Sequence, residues 1–177
     1  MDKRKMKVAI FGFVSILVIA AFLLGSVTQG VAEQTMKCKI ASTNTKDERI
    51  SLNDEEGHGF GMSISEGLAF FEGGEIAKTK SYTLFDFIPG KRSQQIGYTF
   101  FTFEDGATIV TSFQRLIAPG QIGIGSGKGS GEITKGTGRF GGIKGTTSST
   151  GKAFPGSKGE AYRYTDDVTF TYTLPPK

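Results

Sequence analysis

A chain of 177 residues with 26 glycines, 15 phenylalanines and no tryptophan has the length of one domain and the composition of a turn-rich β protein, which argues against a helical bundle. The net charge of +4 sits mostly at the start: residues 1–32 hold four basic side chains and one acidic, leaving 17 basic and 16 acidic for the rest. A body so close to neutral gives no ground for a nucleic-acid-binding surface, and a single cysteine, Cys38, excludes an intrachain disulfide.

The leader comes first. Lys3, Arg4, Lys5 and Lys7 precede an uncharged apolar run from Val8 to Gly25, and small residues follow at Gly30 and Ala32. This order describes a secretory signal cleaved near Ala32. The run also reaches the ~17–25 residues that a membrane span needs, so an uncleaved hydrophobic helix fits equally well, with its basic end inside. Residues 1–33 are accordingly read as signal peptide or single-pass anchor, and 34–177 as a domain outside the cytoplasm, either membrane-anchored or secreted.

After the leader, Met36–Thr43 alternates Cys38 and Ile40 with lysines, the pattern of a half-buried strand. Asn44–Gly57 is polar and reads as a connection. His58–Phe71 is a strand interrupted by glycine, and Glu75–Ile88 is a third, closed by the turn dipeptide Pro89-Gly90. Gln94–Glu104 and Ala107–Ile117 flank Asp105-Gly106, the strongest hairpin signal in the chain. Gln121–Gly159 holds half of the glycines, and between Gly123 and Gly131 they occupy every second position. On a strand such spacing leaves one face nearly bare, which permits a sharp bend or a close approach by a ligand or another backbone. Arg139–Lys152 follows as a strand. In Glu160–Leu174, the residues Val168, Phe170, Tyr172 and Leu174 alternate with threonines. The expected architecture is all-β: an eight-stranded antiparallel barrel, favoured over a two-sheet sandwich, preceded by the N-terminal hydrophobic helix.

The segment Gly131–Lys152, with G-E-I-T-K-G-T-G-R-F-G-G-I-K-G, resembles the glycine-rich segment of the allene oxide cyclase-like barrels, calycin-type folds akin to the dirigent proteins. Glu66–Ala77 and Gly97–Thr108 are similar to the segments upstream of it. The resemblance spans most of Met36–Leu174. It implies a barrel with a mostly apolar interior that holds a lipid-derived, phenolic or polyketide intermediate and steers its cyclisation or coupling. It assigns no catalytic residue.

The remaining motifs point away from cofactors and metals. Gly136–Gly141 matches G-x-G-x-x-G, but the glycine-rich and β-branched residues after it cannot form the helix a dinucleotide needs, so a turn is expected. Lys128 precedes Gly129 rather than a hydroxyl residue, so there is no P-loop. His58 is the only histidine, and Asp54, Glu55 and Glu56 lack the spacing of a calcium loop, so no metal site is expected.

The aromatic residues are more informative. Tyr82, Tyr98, Phe100, Phe113 and Tyr172 are the candidate ligand-lining residues. Glu66, Asp86, Arg115 and Glu132 are the candidate catalytic groups, because a carboxyl enclosed in an apolar barrel gains a raised pKa suited to acid–base work. The reading is an extracytoplasmic small-molecule-binding barrel, as an isomerase or cyclase acting on an apolar substrate. The alternative is a non-catalytic envelope barrel that binds a lipid or a protein. The membrane is a partner through the N-terminal segment, and a homo-oligomer is compatible with either reading.

Overall fold

The computed structural model describes residues 32–91, 93–118, 125–154 and 161–176. The hydrophobic helix expected over 1–33 and the start of the glycine repeat at 121–124 lie outside the described residues, apart from Ala32 and Glu33. Among the described residues no helix is long and apolar enough to cross a membrane.

Eight strands close into one antiparallel barrel in chain order. They are β1 (Gln34–Ser51), β2 (Gly59–Phe71), β3 (Ile76–Phe87), β4 (Ser93–Phe103), β5 (Thr108–Ala118), β6 (Gly125–Gly136), β7 (Lys144–Phe154) and β8 (Arg163–Thr173). β1 pairs with β8 from Gln34↔Tyr172 to Thr43↔Arg163, so the sheet has no free edge. The expected barrel is present, and the sandwich is not. One boundary differs from expectation. The polar stretch after Asn44 is not simply a connection, because β1 continues to Ser51 past a bulge between Asn44 and Lys46. A bulge adds a residue to one strand and reverses which side chains face inward. Here it turns Asp47 and Arg49 toward the barrel end.

The turns follow their chemistry. Gly106, in the Asp-Gly hairpin between β4 and β5, has φ +79°, and Asp105 accepts a hydrogen bond from the Ala107 N–H. Gly136–Gly141 forms a turn with a single 3-10 loop at Gly138–Phe140, as the glycines predicted.

The core lies at one end. Phe71, Phe101, Phe103 and Phe170 interlock, with ring centroids 5.2–6.4 Å apart. The 3-10 loop adds Phe140 against Phe103 at 4.9 Å. Arg139 lies over both of those rings and pairs with Glu75 at 2.6 Å. Cys38 is buried in the same cluster, and burial pushes its thiol up to about 12.

Candidate functional site

Beyond the phenylalanines the interior changes character. The middle of the barrel is lined chiefly by hydroxyls, among them Ser42, Ser65, Thr83, Thr99, Thr111 and Thr147. The mostly apolar interior implied by the family resemblance is thus present at one end only. This inner chamber measures about 70 Å³. It shares Ser63, Gln95 and Tyr164 with a second cavity of about 500 Å³ at the barrel mouth, which is walled by Phe85, Phe87, Ile117 and Tyr162 and by the charged Asp47, Arg49 and Lys91. Small-molecule pockets occupy roughly 300–1,000 Å³, so the mouth can hold the body of a ligand and the inner chamber only a slender end.

An ion pair crosses the inner chamber. Arg115 Nη2 of β5 stands 2.7 Å from Asp166 Oδ1 of β8, and the two side chains are only 14% and 10% exposed. Arg115 also donates to Ser149 Oγ at 3.3 Å. Arg115 Nε and Asn44 Oδ1, both buried in the chamber wall, have no hydrogen-bond partner among the described residues. Such orphaned atoms are uncommon in a finished core and mark a place where hydrogen-bonding capacity is held in reserve. Burial raises the Asp166 carboxyl above its usual 3.8, and the neighbouring guanidinium only partly opposes it. Tyr164 is pushed up to about 12 by burial and stays a neutral hydroxyl, to which Asn44 donates at 3.4 Å.

The glycine repeat makes room for this pair. The described glycines of β6 turn their bare side inward, along with Ile133. A Cβ on Gly127 would stand 2.9 Å from Arg115 Cδ, and one on Gly129 would stand 2.9 Å from Ser149 Oγ. The missing side chains therefore leave the space that the Arg115 stem fills. The close approach expected at a bare strand occurs here, made by side chains at Gly127 and Gly129 and by the neighbouring backbone at Gly131, where a Cβ would meet the Ser112 carbonyl.

Arg115 is the one candidate catalytic group that faces the chamber. Glu66, Asp86 and Glu132 are exposed on the outer side of the barrel. Glu66 pairs there with Lys80 at 2.8 Å, and Asp86 pairs with His58. Phe113 lines the chamber. Tyr82, Tyr98 and Phe100 stand on the outer face, where Tyr82 and Phe100 meet edge to face at 5.9 Å. Tyr172 packs against the aromatic end. Sequence reasoning missed Asp166, and it placed Tyr164 among the strand aromatics without singling it out. The signal was present, because both share the parity of Val168 and Phe170, whose apolar alternation marks the inward face of β8.

A second polar cluster closes the loop between β1 and β2. His58 is buried, with Nδ1 2.7 Å from Asp54 and Nε2 3.0 Å from Asp86. A carboxylate only accepts, so an arrangement with one on each ring nitrogen favours the doubly protonated imidazolium. The Asp54 hydrogen bond is the main cause raising the His58 pKa above 6.5. Arg49 donates to the Gly57 carbonyl and Lys91 pairs with Glu55, tying the same loop to the rim.

Among the described residues no group of three or more potential ligands could hold a metal ion. No family model matches the chain, and no curated protein matches it. A solved structure of the pterocarpan synthase dirigent protein GePTS1 is similar to it, at 11% identity over 84% of this chain and 90% of that one, with a TM-score of 0.43. At such identity the likeness concerns the fold alone.

Proposed function

We propose that the barrel binds a small amphipathic molecule, its apolar body in the aromatic mouth and its slender hydrogen-bonding end in the chamber at Arg115 and Asp166. The adjacency of the two cavities, which share Ser63, Gln95 and Tyr164 as lining residues, with a charged pair facing into the inner one, supports this reading. A barrel filled throughout by phenylalanine and leucine would have favoured a scaffold instead. The raised pKa of Asp166 supports an acid–base role in an isomerisation or cyclisation of the bound molecule. The basic and apolar pattern of residues 1–32 supports a location outside the cytoplasm, membrane-anchored or secreted.

The alternative, a non-catalytic envelope barrel that binds a lipid, a protein or a second copy, draws on a different observation. Tyr82, Leu84, Ile96, Tyr98 and Phe100 form a contiguous exposed apolar patch across the outer face of β3 and β4.

Mass spectrometry of the protein purified from its native membrane separates the two. The first reading expects a small molecule that co-purifies with the wild type and is lost from Ala153→Trp, which fills the mouth. A molecule retained by that variant, and lost instead from Tyr98→Ser, would move the site to the outer face.

A further inference from the structure

We propose that Asp166 determines the charge of the molecule this barrel accepts: by cancelling Arg115 in place, it makes the inner chamber take an uncharged hydrogen-bonding end and reject a carboxylate. The inference rests on the binding site proposed above and concerns only which ligands enter it.

An arginine inside a small cavity is ordinarily a carboxylate receptor, because its planar fork matches two carboxylate oxygens. Here one arm of that fork is already engaged, with Nη2 2.7 Å from Asp166 Oδ1. The rest of the chamber supplies no compensating charge. Among its described lining residues Arg115 and Asp166 are the only ones charged at neutral pH, because Tyr164 is held as a neutral phenol and the other polar groups are hydroxyls and amides. An incoming carboxylate would meet Asp166 at close range in a poorly screened space, and an incoming ammonium would meet Arg115 in the same way. A hydroxyl suffers neither repulsion. It can accept from the buried Arg115 Nε, which has no hydrogen-bond partner among the described residues, and the chamber's serine and threonine hydroxyls can donate to it or accept from it. The charge filter thus lies at the inner end of the cavity, where only the ligand's tip reaches.

The test uses three fluorescent probes that share one apolar body and differ at the tip: naphthylpropanol, naphthylpropanoate and naphthylpropylamine. Affinities are measured by fluorescence titration at neutral pH. The wild type is expected to prefer the alcohol over both ions by roughly tenfold or more, the size of one partly screened unit charge. Asp166→Asn keeps the side-chain shape, exposes the Arg115 charge and should move the preference to the propanoate by a similar factor. The double variant Arg115→Gln with Asp166→Asn leaves no unpaired charge. It should keep the alcohol preference and provide a folded reference if the single change unfolds the protein. A wild type that binds the propanoate as well as the alcohol, or a double variant that ranks the probes no differently from Asp166→Asn, would overturn the proposal. Ala153→Trp separates the two layers of inference. If it abolishes binding of probes that the wild type does not rank, the mouth site stands and the charge filter fails. If no probe binds, or binding survives the filled mouth, the site itself fails and the filter with it.

Discussion

The two halves of the barrel interior are built by the same eight strands to opposite specifications. Toward the Asp105-Gly106 hairpin, interlocked phenylalanines occupy the interior, and Phe101 and Phe170 are 1% and 0% exposed. Toward the mouth, the inward positions of those strands become serine, threonine, arginine and aspartate, and empty space remains. Packing at one end fixes the ring, and the other end can then keep cavities and orphaned polar atoms that would destabilise a barrel built so throughout. Close packing and open space are thereby divided along each strand rather than between strands.

The comparison predicts where substitutions hurt. Phe170→Ala should cost about 3–5 kcal/mol, the range for a fully buried phenylalanine, measured as a shift in chemical-denaturation midpoint. Thr99→Ala, at a chamber position, should cost about 1–2 kcal/mol, because it gives up the 2.9 Å hydrogen bond with the Ser81 hydroxyl but opens onto a cavity already partly empty. Equal costs at the two positions would erase the distinction between the halves. Next in size is Arg115→Met, which strands the Asp166 carboxylate in a buried site and should cost about 3 kcal/mol or more. Adding Asp166→Leu should restore much of that loss, since an apolar pair of similar volume carries no desolvation penalty. A double variant that is less stable than Arg115→Met would show that the pair stabilises the barrel rather than serving the ligand.

Much of this division was legible in the sequence, and its limits are physical. The eight strands and the Asp-Gly hairpin followed from alternation and turn residues, which are local. Which face turns inward did not. In β4 the even positions carry Tyr98 and Phe100, and the odd ones carry Phe101 and Phe103. Both faces are aromatic, so hydrophobicity alone could not choose, and the structure places the second set inside. Adjacent acids pose the same problem in β8. Asp167 pairs outside with Lys39 at 2.7 Å while Asp166 faces Arg115 within, and only the parity of Val168 and Phe170 distinguishes them. Asp47 and Arg49 reach the mouth because of the bulge after Asn44, which no alternation rule anticipates.

The rim offers a prediction of direction. His58 is held between Asp54 and Asp86, and its pKa is raised above 6.5. A group with a raised folded pKa binds its proton more tightly in the folded state. Its stabilisation is complete below the unfolded value and disappears as pH climbs through the folded one. Denaturation midpoints of the wild type should therefore decline as pH rises above 6.5, and those of His58→Gln should decline less. Asp54→Asn should bring the imidazole titration, followed by NMR, back toward 6.5, because Asp54 is the larger cause. An unchanged titration would mean that the loop does not hold the clamp in solution.

The smallest expected effects lie on the outer wall, and they test the inside–outside assignment most directly. Glu66 and Glu132 have the chemistry of acid–base residues, but both are exposed. Glu66 engages only a solvent-facing lysine, an interaction that contributes little when screened by water. Glu66→Gln and Glu132→Gln should each change stability by less than about 0.5 kcal/mol and leave probe affinity at the mouth unaltered. Even a severalfold loss of affinity from either change would be informative, because a charge on the outer wall cannot touch a molecule in the chamber. That result would place the ligand on the outer wall beside the altered carboxylate, on β2 for Glu66 or β6 for Glu132, and it would make the hydroxyl-lined interior a structural void rather than a binding site.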